Sequence, residues 1–333
     1  MKFINNYLYL ILKSNTIFSV NSSTMQFPYW EIGTPEPAIN QQYSFYMCKY
    51  KICGTNNSIL FYGHHMEDQN YQVVLKFVKH IINTDDTILN ELKIMKDMDH
   101  PNLLKAEDSF YHGSFFCIVT KYAPFGNLAS IIKDRYSNGM PESEARIVMR
   151  QLLEAVGYLH SKGIWHRDIK PNNALVYMWS QTDKHIILAD YGLSKHFDEN
   201  DYGFDFIGTP EYSAPEMFKK TGYTQNIDFY SLGITLFFLL SGRSPFPNRK
   251  KYPKVFFYKV TTGKLNMQLL QAKKCSLDCI EFINQMCHID PLRRISTASD
   301  AINHTWMRTT KEETSVIGKE LMGRIKPFEE IAT

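Results

Sequence analysis

Three short blocks in the middle of the chain constrain its fold more tightly than anything else in the sequence. The first is His166-Arg167-Asp168-Ile169-Lys170-Pro171-Asn172-Asn173. The second, Asp190-Tyr191-Gly192, begins 17 residues after Asn173. The third is Gly208-Thr209-Pro210-Glu211-Tyr212-Ser213-Ala214-Pro215-Glu216. Alone, a His-Arg-Asp run reads as an ordinary charge cluster at a helix edge. Three such blocks, in this order and at these separations, point to one composite site.

Together they resemble the catalytic loop, the metal-binding motif and the end of the activation segment of the eukaryotic protein kinase superfamily. Phosphoryl transfer asks a protein mainly to position a hydroxyl and to neutralise phosphate charge with metal ions and cations. The resemblance implies that Asp168 accepts the proton of the substrate hydroxyl and that Asn173 and Asp190 hold Mg²⁺. Lys170, two residues past Asp168, would reach the transferring phosphate. Lys170 and the Gly208-Thr209-Pro210-Glu211-Tyr212 run both look like the serine/threonine branch. The implied reaction is transfer of the γ-phosphate of Mg-ATP to serine or threonine hydroxyls of protein substrates.

Length and composition are compatible with this. A chain of 333 residues exceeds the usual single-core size, so two cores or a core with appendages are expected. A hydrophobic content of 44% with 21% charged residues excludes a disordered chain. A net charge of +3 is too small to argue for nucleic acid or a membrane surface as partner. The six cysteines form no Cys-x-x-Cys pair and read as free thiols in a reducing compartment, cytoplasmic or nuclear. Near the N-terminus, the apolar run Tyr7 to Leu12 is broken by Lys13, too short for a signal peptide or a membrane span. Residues 1–43 are therefore expected to be a flexible extension, with Met25 as an alternative first residue.

From Ser44 to Tyr122, β-branched and aromatic runs at Tyr46–Ile52, Ser58–Tyr62, Tyr71–Val78 and Ser114–Lys121 read as strands of an antiparallel sheet. One helix interrupts them, Asp85–Met98, with Ile88, Leu92 and Met95 on a single stripe. Beyond Gly126 the pattern is helical, with Glu142–His160 amphipathic and Ile227–Leu240 apolar on all sides save Asp228 and Ser231. The expected fold class is α+β: a bilobal protein kinase fold with a small sheet-rich lobe carrying one helix (44–121), a linker near Tyr122-Ala123-Pro124 and a larger, mainly helical lobe (125–307). Residues 308–333 contain the capping-box pattern Thr310-Lys311-Glu312-Glu313 and an apolar stripe, Ile317, Leu321 and Ile325. They are expected to form a helical tail, packed on the large lobe or binding a regulatory partner.

The resemblance carries further residues over. Lys76 matches the strand lysine that binds the α- and β-phosphates, and Glu91 the helix glutamate that pairs with it. Leu60 and Val74 would cover adenine from above and Leu175 from below. Thr120 falls at the guard of the back pocket, and Lys121, Tyr122 and Ala123 form the hinge. Asp228 matches the carboxylate that anchors the catalytic-loop backbone, while Glu216 and Arg294 match a buried ion pair. In the activation segment, Asp205 stands where many kinases carry a phosphorylated threonine, with Arg167 and Lys195 as its basic contacts and Thr209 beyond it.

Some positions depart from the family. The phosphate-covering loop reads Cys53-Gly54-Thr55-Asn56-Asn57-Ser58-Ile59-Leu60, with Cys, Thr and Ser where three glycines are usual. Val74 replaces a usual alanine, Tyr191 a usual phenylalanine, and the connection from Asn173 to Asp190 is lengthened around Ser180-Gln181-Thr182-Asp183. These departures motivate an alternative, a pseudokinase-like scaffold that binds nucleotide weakly. Retention of Lys76, Glu91, Asp168, Asn173 and Asp190 argues for the enzyme. Asn127, where basophilic families often place an acid, argues against a strong preference for basic substrates.

Overall fold

The computed structural model describes residues 45–54, 58–79, 85–112, 115–198 and 201–308. The expectations for residues 1–43 and for the tail beyond Arg308 lie outside the described residues. Five strands, β1 (Tyr46–Gly54), β2 (Ser58–His65), β3 (Gln72–Lys79), β4 (Asp108–His112) and β5 (Phe115–Lys121), form an antiparallel sheet in the order β1-β2-β3-β5-β4. Strand β5 lies between β3 and β4 and is buried from Phe115 to Thr120, which explains its unbroken apolar run. Phe115, Cys117 and Val119 join Phe61, Leu75 and Phe77 in one apolar cluster. The alternate residues Phe116 and Ile118 join Ile88, Leu92 and Met95 of helix α1 (Asp85–Asp97) in another.

The second cluster continues into the large lobe. Helices α2 (Leu128–Arg135) and α3 (Glu142–Ser161) precede strand β6 (Ile164–Trp165). A hairpin follows, β7 (Ala174–Trp179) with β8 (Lys184–Leu188), and β9 (Lys195–His196) pairs back onto β6. The expected polar turn closes the hairpin: the Ser180 amide donates to the Asp183 carbonyl at 2.8 Å. Then come α4 (Pro215–Lys219), α5 (Asn226–Ser241), α6 (Pro253–Thr261), α7 (Gln268–Ala272), α8 (Leu277–Met286) and α9 (Ala298–Asn303). Helix α5 is apolar all round because it is buried on nearly every side, with only Phe238 partly exposed after its first residue. Among the described residues, no helix is long and apolar enough to cross a membrane.

Candidate active site

The first block runs from the end of β6 to the short 3₁₀ turn Pro171–Asn173. An irregular buried loop must find partners for its own N–H groups, and here Asp228 supplies them from the first turn of α5. Its Oδ2 accepts from the His166 amide and its Oδ1 from the Arg167 amide, both at 2.9 Å. His160 Nε2 lies 2.8 Å from the same Oδ2. Burial pushes the Asp228 carboxyl up, but His160, His166 and the Arg167 amide outweigh it and hold its pKa below the usual aspartate range. Arg167 has φ +66°, a left-handed conformation that costs a non-glycine residue about 1–2 kcal/mol. Its amide on Asp228 and its Nε on the Leu193 carbonyl (2.8 Å) hold it there.

Asp168 is buried, and donors surround its carboxylate. Lys170 Nζ donates to Oδ2 at 2.5 Å and Asn173 Nδ2 to the same atom at 3.0 Å. The Thr209 amide and hydroxyl donate to Oδ1 at 3.0 and 2.8 Å. The Thr209 hydroxyl also accepts from Lys170 at 2.7 Å, so the first and third blocks close on one carboxylate. Because Nδ2 of Asn173 is spent on Asp168, its Oδ1 remains as an acceptor; Asp190 offers an exposed carboxylate. Two hard oxygen donors suit Mg²⁺, whose remaining positions substrate phosphates and water can fill. Among the described residues, no group of three or more His, Cys, Asp or Glu could hold a metal unaided.

On the sheet side, Lys76 Nζ meets Glu91 Oε1 at 2.6 Å. Burial pulls the Lys76 pKa down, but the carboxylates of Glu91 and Asp190 outweigh it, so the ammonium is favoured. Asp190 also has positive φ, +71°. Next to it, Tyr191 is fully buried, donates its hydroxyl to the Leu188 carbonyl at 3.1 Å and lies 5.7 Å from the His166 ring. Leu60 pairs across from Lys76, and Val74 across from Thr120, which is buried. Cys53 and Gly54 end β1 opposite Leu60 and Ile59, while Thr55, Asn56 and Asn57 lie outside the described residues. In the hinge, Tyr122 donates its amide to the Gln72 carbonyl, and the Lys121 carbonyl accepts from the Tyr177 hydroxyl at 2.8 Å. Leu175 sits on β7, bridged to Asn127 just past Ala123. Glycine at Thr55 and Ser58 combined with Val74→Ala should tighten ATP binding roughly 3- to 10-fold, about 1 kcal/mol. Calorimetric titration of both proteins measures this, and an unchanged Kd would defeat the steric argument.

In the activation segment, Arg167 lies 3.2 Å from Asp205. The Tyr223 hydroxyl, which the sequence did not flag, donates to Asp205 at 2.5 Å. Partial burial pushes the Asp205 carboxyl up, but Tyr223, Arg167 and Lys195 outweigh it and lower its pKa. Lys195 acts at longer range than the sequence implied: among the described residues it makes no ion pair within 4.0 Å, and its Nζ stands 5.3 Å from the Phe197 ring centre. At the far end of the segment, Glu216 and Arg294 form a bidentate buried pair at 2.6 and 3.0 Å.

The protein kinase domain family model matches residues 54–307. Calcium/calmodulin-dependent protein kinase type I of Schizosaccharomyces pombe is 30% identical over 292 residues, 85% of each chain. Calcium-dependent protein kinase 4 of Plasmodium berghei is 32% identical over 250 residues, which are 74% of this chain but only 46% of that relative. A crystal structure of Rad53 1-466 in complex with AMP-PNP superposes with a TM-score of 0.67 at 22% identity, covering 80% of this chain and 66% of that one, a likeness of fold.

Proposed function

The chain belongs to the protein kinase domain family, and on that premise we propose that it transfers the γ-phosphate of ATP to serine and threonine hydroxyls of protein substrates. The observation that carries this reading is the closure of Lys170, Asn173 and Thr209 on the Asp168 carboxylate. Asp168 orients the acceptor hydroxyl and takes its proton, and Lys170 neutralises charge on the group in flight. Lys76, fixed by Glu91, holds the nucleotide phosphates. Asn173 and Asp190 would hold Mg²⁺, whose chemistry is charge neutralisation on the phosphates. Incubation with Mg-ATP and a serine/threonine peptide library tests the reading. Incorporation that disappears in Asp168→Asn supports it; an ATP-induced thermal shift with no transfer to any peptide would favour the scaffold instead. A cytoplasmic or nuclear setting forms part of the proposal, supported by six cysteines that are not joined in disulfides; imaging of a tagged chain in a secretory compartment would refute it.

The proposal includes activity without activation-loop phosphorylation. Asp205 takes the anionic role, held by Arg167 and Tyr223. Its side chain is 52% exposed, so solvent screens the pair and ordering is partial. An aspartate also carries about one charge where phosphate carries 1.5–2. Chain made in a kinase-free host and treated with phosphatase should stay active, and Asp205→Ala should lose roughly 3- to 10-fold. Equal activity of the two proteins, or complete loss on phosphatase treatment, refutes this.

A further inference from the structure

Helix α6 is short and, Lys254, Lys259 and Thr261 apart, built of apolar and aromatic residues, yet only Phe256 and Val260 are buried. Val255 and Tyr258, with Tyr252 just before the helix, repeat at three-residue spacing on one face, and are 48%, 56% and 47% exposed. Phe257 flanks that face, 5.7 Å from the Phe218 ring, which in turn lies 4.8 Å from Phe206 of the activation segment. Phe204 follows, 63% exposed and packed over Gly222, where a Cβ would come within 3.1 Å of its ring. A continuous exposed apolar surface rimmed by polar groups marks an interaction site.

The rim is basic. Lys219, Lys220, Lys250, Lys251 and Lys254 are exposed, and none forms an ion pair with an acid among the described residues. Of the acids on this border, Glu211 is paired with Arg249 at 2.9 Å, and Asp205, between Phe204 and Phe206, with Arg167 at 3.2 Å. Glu211 is two residues beyond Thr209, so the surface adjoins the loop that closes on Asp168.

We propose that the α6 face, together with Phe204 and Phe206, docks an extended protein segment that combines acidic with large apolar side chains, and so selects substrates carrying such a segment. This selection of substrates rests on the kinase reading; the docking itself does not. The apolar surface supplies the contact area. The unpaired lysines supply attraction to acids and repel basic segments, so that charge decides among substrates of equal hydrophobicity.

Two peptides test it. A fluorescein-labelled peptide of alternating Glu and Phe or Leu, without hydroxyl side chains, measures docking by anisotropy on the full chain. The same peptide joined through a flexible linker to a serine acceptor measures its effect on transfer. The proposal expects saturable binding, lost when Lys replaces Glu. It also expects a KM about 10-fold lower than for the bare serine acceptor, equivalent to about 1.4 kcal/mol. Both effects should vanish in Val255→Glu/Tyr258→Glu and in Lys250→Glu/Lys251→Glu/Lys254→Glu, with kcat on the bare acceptor unchanged. Binding that survives these exposed-residue variants, or no binding at all, overturns it. A dimer in sedimentation that Val255→Glu dissolves would assign the face to a second copy instead. If no peptide is phosphorylated, the kinase reading fails while the anisotropy result still decides docking.

Discussion

Replacing Asp168 by asparagine is expected to lower phosphoryl transfer by ~10²-fold or more while leaving the chain folded. The amide cannot take a proton from an acceptor hydroxyl. It also meets the wrong partners, whichever way it turns. On one side stand Lys170 Nζ and Asn173 Nδ2, and on the other the Thr209 amide and hydroxyl. An NH₂ group set against these donors disrupts the junction that joins the catalytic loop to Thr209. Asp190→Asn should lose as much by a different route, since the exposed carboxylate gives up the charge that would hold Mg²⁺ against phosphate. Transfer to a serine peptide and thermal melting, measured on the same purified proteins, separate chemistry from folding. Most of the activity surviving in either variant, with an unchanged melt, would remove that residue from the mechanism.

The candidate site residues that the structure brings together were legible because they are packed into short contiguous runs. Asp168, Lys170 and Asn173 lie within one loop, and Thr209 falls in a block with its own signature. Strands β1, β2, β3 and β5 were legible because their residues are apolar enough to show on either face. Strand β4 was not: it has five residues and opens Asp108-Ser109, a turn-like start that pairing with β5 alone turns into a strand. Lys184 reads as an exposed hairpin residue, yet its side chain is 1% exposed. It is held by Glu144 at 3.0 Å, which the packing of α3 on the hairpin brings near, and by the ring of Trp179, its cross-strand partner in the hairpin. Tyr223 meets Asp205 because a backbone bridge ties Gly203 to Tyr223, and Tyr177 reaches the hinge because β7 runs beneath it. Side chains that act through tertiary contact leave no local pattern to read.

Asp228→Ala is expected to cost about 3–5 kcal/mol of stability, the range for removing one partner of a buried charged network. The carboxylate is 0% exposed, and its loss orphans the His166 and Arg167 amides and the His160 ring together. For a domain of this size that corresponds to a fall in Tm of roughly 6–20 °C. Asp228→Asn keeps the volume but turns an NH₂ toward one of two backbone donors, so it should fall between wild type and alanine. The pH dependence has a definite sign. The folded carboxyl has a lowered pKa, so its stabilisation is complete above the unfolded value of about 4 and is lost as pH falls through the lower folded value. Wild type and Asp228→Ala should therefore differ by a constant amount at neutral pH and converge in acid. Activity at a temperature where both proteins are folded supplies the second readout. Without Asp228 the left-handed Arg167 has lost its amide anchor, so the loop relaxes and Asp168 loses its aim. A Tm shift below about 2 °C, or full activity in the alanine variant, would mean that the loop holds its shape without this carboxylate.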